Sequence, residues 1–468
     1  MAFGRWLVPA TVVSGLMALS AAATSAQGTA ADYARADSMQ ARTATLAIDA
    51  ADPPVWAAHG ERFWYRKTVT GGHAFVLVDV ATRQKRPAFD HERLAASLAA
   101  AMHAPITPTT LPFSTFVLAD DAQSIEFEAR TRFGAAPTPP AADSLHWRCT
   151  LTDYACAMVP PAQDTAERER RTMGGGLFTQ ALRAPDDHPR RSPDGKWDAM
   201  VRNYNVYVRA VGARTGTLLS TEGSEGDAYD PESIVWSPDS RRLAAYRVRP
   251  GYRREVHYVE SSPEDQLQPK QSTLLYNKPG DVLDRDQPVL FDLATHAQII
   301  VDRSLFPNAY DVTPLVWRHD GHAVTFEYNQ RGHQVYRVIE IDAATGKTRA
   351  VIDERMPTFF EYSAKTYRYD IADGKEIIWM SERDGWNHLY LYDGLTGRVK
   401  NQITRGQWVV RGVDWVDTTK RQIWFEASGM YPGKDPYFIH YYRIDFDGTG
   451  LTALTDADGM HTVRYSPD

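Results

Sequence analysis

Cysteine is nearly absent from this chain: 468 residues contain only two, Cys149 and Cys156. That excludes a disulfide-dense scaffold and a thiolate zinc cluster, since a structural zinc takes four ligands. Charge of one sign is not in excess either. Against 52 Lys and Arg stand 59 Asp and Glu, a net charge of -7, so nothing draws the chain to nucleic acid or an anionic membrane. There is no Gly-x-Ser-x-Gly nucleophile elbow, no phosphate-cradling Gly-rich loop before a helix, and no His-Glu-x-x-His. The 14 histidines are scattered singly. The expectation is no metal, no cofactor and no catalytic residue within this chain.

Long apolar runs are missing as well, with one exception. Arg5 precedes a mostly apolar stretch from Trp6 to Ala23, and Thr24-Ser25-Ala26 supplies small residues. Pro9, Ser14, Gly15 and Ser20 weaken that stretch as a membrane anchor. The order of charge, apolar core and small residues reads as a cleaved signal peptide over 1–26. The mature protein is then exported, periplasmic or extracellular, with no membrane attachment. In that oxidising setting, the hairpin-like alternation around Leu151-Thr152-Asp153-Tyr154 favours a local Cys149–Cys156 disulfide over two buried thiols.

What is abundant is aromatic: 12 Trp and 23 Tyr, which suits pleated, half-buried surfaces. From about residue 190 a unit recurs. Trp236-Ser237-Pro238-Asp239 leads into Leu243 to Tyr246, and Pro193-Asp194-Gly195 carries the same tight turn. Trp317 to Tyr328 and Tyr336 to Gly346 form the two halves of another unit. Further units run through Ala372 to Gly397 and Trp415 to Gly450. The spacing from turn to turn is about 45 to 53 residues, with one longer unit between Asp239 and Asp320, and four short strands at that period mark a β-propeller blade. The predicted fold class is therefore an all-β propeller of seven to eight blades in its full form, with a short N-terminal helical segment. Residues 27–54 form that segment, which includes a helix within Ala31 to Asp49, and 55–468 form the propeller. Earlier in the chain, Phe63 to Arg66 and Ala74 to Val80 read as strands joined through Thr70-Gly71-Gly72. His91 to Met102 reads as a helix, and Pro160 to Gly176 as an exposed loop. Trp379, Trp386, Trp415 and Trp424 are expected between blades. His388 is expected to be structural, with Asp384 and Asp393 capping turns. Tyr465-Ser466-Pro467-Asp468 repeats the start of the turn phrase, so the expectation is a last blade left incomplete after a strand at about Thr462 to Tyr465.

Ser381-Glu382-Arg383-Asp384-Gly385-Trp386-Asn387-His388-Leu389-Tyr390-Leu391-Tyr392 resembles a segment late in the propeller of the dipeptidyl peptidase IV family, in the prolyl oligopeptidase clan of serine peptidases. Trp236 to Asp239, and Tyr276 to Gly280 through Pro288 to Asp292, resemble that family too. The resemblance implies an exported serine peptidase whose propeller gates and docks peptides, with the Ser, Asp and His in an α/β-hydrolase domain that this chain is expected to stop short of. It implies a peptide as partner and allows a homodimer. It also implies an arginine and two adjacent glutamates that hold the peptide's amino terminus. Arg148 best fits the arginine, a solvated strand arginine being the alternative. Glu225 falls nearest to the glutamates, but Gly226 follows it, so the pair is incomplete. Dipeptidyl and oligopeptidyl specificity both stay open. The competing reading is a stand-alone secreted propeller that binds peptide or protein without catalysis.

Overall fold

In the computed structural model, residues 28–43, 46–57, 60–130, 144–159 and 188–467 are described. The expected signal peptide over 1–26 and the expected loop from Pro160 to Gly176 lie outside them. The described chain is almost entirely antiparallel β-structure, organised as a β-propeller, with two α-helices. No helix among the described residues is long and apolar enough to cross a membrane. The chain divides into two compact units, residues 1–174 with 464–468, and residues 175–463.

In the first unit, α1 (Ala30–Thr43) is shorter than the stretch expected to Asp49. α2 (His91–Met102) spans its predicted residues. Asp90 caps α2 by accepting from the amides of Glu92 and Arg93, and His103 ends it in the left-handed conformation. Sheet 1 (Val55–Trp56, Arg62–Val69, Gly72–Asp79, Gln84–Pro87) and sheet 2 (Val117–Leu118, Ser124–Arg130, Ser144–Thr150, Cys156–Met158) share one apolar cluster with α2. Trp64, Phe75, Phe89, Phe113, Phe116 and Phe127 dominate it. Cys149 and Cys156 stand opposite each other in register and are joined as a disulfide.

In the second unit five sheets follow in chain order. Sheet 3 holds Trp197–Arg202 and Asn205–Ala210, and sheet 4 is centred on Arg242–Arg249 and Arg285–Asp292. Sheet 5 is built on Ala323–Gln330 and Val335–Asp342, sheet 6 on Glu376–Ser381 and His388–Asp393, and sheet 7 on Gln422–Ser428 and Ile439–Asp445. Strand alternation explains how they stack. In sheet 4, Leu243 and Ala245 pack with Val206 and Val208 of sheet 3, whereas Ala244 and Tyr246 pack with Val324 and Phe326 of sheet 5. Val338 joins Ile377 and Trp379 between sheets 5 and 6, and Ile378 and Leu389 join Ile423 and Phe425 between sheets 6 and 7. Truncating one of these fully buried residues to alanine, such as Ile377, costs about 2–5 kcal/mol.

The leading tryptophans tie the innermost strands together. Trp236 Nε1 donates to the Arg190 carbonyl at 2.8 Å, and Trp317 Nε1 to the Val235 carbonyl at 3.2 Å. Of the four tryptophans expected between blades, Trp379 is fully buried there. Trp386 and Trp415 are 40% and 48% exposed, and Trp415 stacks on Trp424 within sheet 7. Trp386 sits in the turn before its strand, and Trp415 falls on the strand face opposite the buried Ile423 and Phe425. Residues 462–465, expected as a strand, make no strand pairing. The long unit between Asp239 and Asp320 is explained by an inserted hairpin, Glu255–Glu260 with Lys270–Leu275, between the two central strands of sheet 4.

Candidate functional site

The two substrate-binding residues expected from sequence lie one in each unit. Arg148 is on the Ser144–Thr150 strand of sheet 2, between the buried Trp147 and Cys149, so alternation points it outward. It faces Glu126 across the strand pair, and its Nε donates to Glu126 Oε1 at 2.6 Å. With both side chains well exposed, such a pair contributes about 0–1 kcal/mol.

Glu225 is in a tight turn that enters sheet 4. Ser224 and Asp227 exchange both backbone hydrogen bonds, at 3.1 and 3.0 Å, leaving Glu225 and Gly226 at the tip. Gly226 has φ +75°, a conformation costly for any residue with a Cβ. That is the local reason why no second glutamate follows Glu225. The flanking carboxylates are occupied. Asp227 turns inward, accepts from Arg249 at 2.7 Å and pairs with Arg247 at 2.9 Å. Its hydrogen bond with Arg249 is the main cause of a carboxyl held below its ordinary value. Burial pushes Glu222 up, but the Tyr229 hydroxyl at 2.5 Å and the Thr221 amide at 3.0 Å outweigh it and hold that carboxyl low. Glu225 itself is exposed.

Beside Arg249 opens a cleft of about 620 Å³. Its walls come from the end of the Arg242–Arg249 strand, the start of Arg285–Asp292, residues 303–309 and Arg331. Gln287 is 8% exposed and accepts from Arg303. Asp284 accepts from the Gly251 amide at 2.8 Å and from Arg253 at 2.9 Å. The Asp286 side chain has no hydrogen-bond or ion-pair partner among the described residues. Burial, then repulsion from Asp284, Asp311 and Asp230, pushes its carboxyl up to about 6. Arg331 shares its turn with His333, whose ring lies 4.5 Å from the rings of both Tyr310 and Tyr362. Phe359 completes this half-exposed aromatic group at 5.3 Å from His333.

Sequence reasoning missed the cleft. It gathers short pieces of chain from 249 to 331, so no linear motif marks it; the nearest signal is the charge-dense run from Asp281 to Asp286. Other expectations find plain structural roles. His388 is fully buried, with Nδ1 3.0 Å from Thr404 Oγ1 and Nε2 3.0 Å from the Gly406 carbonyl. Because Thr404 Oγ1 also accepts from the Leu389 amide, its proton goes to Nδ1, and Nε2 carries the donor hydrogen. Asp384 and Asp393 accept from turn amides. No group of three or more metal-binding side chains occurs among the described residues.

Several known proteins are similar in sequence. Dipeptidyl peptidase 4 of Trichophyton equinum is 23% identical over 288 residues, covering 57% of this chain and 36% of its own. The probable dipeptidyl-aminopeptidase B of Aspergillus oryzae is 23% identical over 311 residues, covering 59% and 34%. The chain thus spans about a third of the length of these curated relatives. Among solved structures, Porphyromonas gingivalis dipeptidyl peptidase 4 is 17% identical, with a TM-score of 0.44 over 90% of this chain and 55% of that one. The family described as "Dipeptidyl peptidase IV (DPP IV) N-terminal region" matches residues 177–468, most of the chain, and the chain belongs to that family.

Proposed function

We propose that this chain is the non-catalytic, peptide-docking portion of an exported serine peptidase of the dipeptidyl peptidase IV type. The observation that carries the reading is the turn into sheet 4, where Glu225 has no side-chain partner among the described residues and lies two residues before Asp227, which holds Arg249 on the wall of an open cleft. A peptide ammonium needs an anionic partner with free lone pairs. Glu222 and Asp227 have spent theirs on Tyr229, Arg247 and Arg249. Glu225 and Asp286 have not. Glu225 is the proposed contact for a free amino terminus. Arg148 is proposed as a further contact that would exchange Glu126 for the peptide. With one glutamate at the turn instead of two, an oligopeptidyl specificity is as well supported as a dipeptidyl one. Export rests on the order of charge, apolar residues and small residues over 1–26.

The test uses the purified chain with a free-amino peptide and its N-acetylated form. The free form is expected to bind more tightly, and Glu225→Gln to erase that difference. No Xaa-Pro chromogenic dipeptide should be hydrolysed. Equal binding of the two forms by the unaltered chain would contradict the role of Glu225, and turnover surviving contaminant controls would contradict the non-catalytic reading.

A further inference from the structure

Arginines near the cleft fall into two groups. Arg247, Arg249, Arg253 and Arg254 are each paired with an aspartate. Of the four arginines that line the cleft, Arg249 belongs to that group, whereas Arg285, Arg303 and Arg331 have no carboxylate partner among the described residues. Chance exposure does not account for Arg303. It donates to Oε1 of the buried Gln287, a neutral acceptor that fixes the guanidinium without cancelling its charge. Burial lowers the Arg303 pKa first, and Arg285 and then Arg247 lower it further. Arg285 and Arg247 crowd Arg303 with positive charge, which Asp227, already paired with Arg247 and Arg249, offsets only in part. The one unpaired carboxyl on the wall, Asp286, does not serve, because the charges acting on it most are Asp284, Asp311 and Asp230.

A guanidinium offers several N–H donors in a planar fork that matches a carboxylate, and an anion placed among three of them would relieve their mutual repulsion. We propose that Arg285, Arg303 and Arg331 form a carboxylate-binding subsite of the cleft, which takes an acidic side chain or the C-terminal carboxylate of a docked peptide. This rests on the peptide-docking reading and adds to it a contact for one carboxylate of the peptide. Gln287 is a positioning residue, acting through Arg303.

Fluorescence anisotropy on the purified chain tests it with three labelled peptides of one sequence: one with a central Asp, one with Asn in its place, and one with Asp and an amidated C-terminus. A charge-assisted hydrogen bond predicts about tenfold tighter binding for whichever carboxylate is read. Loss of affinity in the Asn peptide identifies the side chain, and loss in the amidated peptide identifies the terminus. The advantage should shrink at high salt and vanish in Arg303→Gln and, independently, in Arg331→Gln, each with an unchanged melting temperature. Equal binding of all three peptides, or an advantage that survives the double variant, overturns the subsite while leaving peptide docking intact. Binding of inorganic phosphate with no binding of any peptide would overturn both the peptide as ligand and the docking reading.

Discussion

Two regions of the second unit, the Trp-led turn end of its sheets and the cleft wall at the other end of sheet 4, use polar groups in opposite ways. At the end where Trp236 and Trp317 lead into their turns, almost every charge is satisfied. Ser237 Oγ donates to Asp239 and accepts from the Arg242 amide, and Ser192 repeats the pattern with Asp194 and Trp197. Arg318, 5% exposed, reaches Glu340 at 3.1 Å and Asp370 at 2.7 Å. Glu340 also holds Arg349, while Asp370 holds Arg368. At the other end of sheet 4, Asp286, Arg285 and Arg303 line a cleft and have no ion-pair partner among the described residues. Buried polar groups persist when they are paired. Closed networks therefore mark structure, and open ones mark places where a ligand completes the pairing.

That contrast predicts a steep gradient of mutational effects. Glu340→Ala leaves the buried Arg318 with Asp370 as its remaining carboxylate, beside Arg349, and should cost about 1.5–3 kcal/mol by denaturant unfolding. A cost under 1 kcal/mol would mean that the network is not closed. Gly346→Ala places a Cβ 2.0 Å from the Ile300 carbonyl at φ +70°, with an expected loss of about 2 kcal/mol. A neutral result would show that this turn relaxes freely.

The cleft end should behave in reverse. Burial and the neighbouring carboxylates push the folded carboxyl of Asp286 up to about 6, from an ordinary value of about 4. The folded state then binds that proton more tightly than the unfolded chain. Stability is unpenalised below about 4, falls as pH rises toward 6, and stays reduced above it. Asp286→Asn removes the penalty. It should gain about 1 kcal/mol at pH 8, after allowance for partial exposure, and nothing at pH 4. A gain that is the same at both pH values would contradict the assignment. Arg303→Gln should change stability by no more than about 0.5 kcal/mol, because no ion pair is lost. A larger loss would make Arg303 a structural residue.

What was legible in the sequence follows the same division. Period-2 alternation and aspartate-led turns are local signals, so the strands around Leu243, Val338 and Leu389 and the helix His91–Met102 could be read directly. The exposure of Trp386 and Trp415 could not, because repeat position does not say which strand face a residue occupies. The end of α1 at Thr43 also escaped, since its outward side chains, among them Tyr33 and Met39, carry little apolar periodicity. The cleft was least legible of all. The hairpin Glu255–Glu260 with Lys270–Leu275 separates Arg249 from Arg285 in sequence, although the two are paired across adjacent strands.

The contrast between the two ends is tested most directly by hydrogen exchange of the purified chain with and without a saturating acidic peptide. The account predicts added protection in residues 249–250, 282–287 and 303–309, with none at the turns 192–195 and 237–240. Protection confined to those turns, or none at either end, would contradict it.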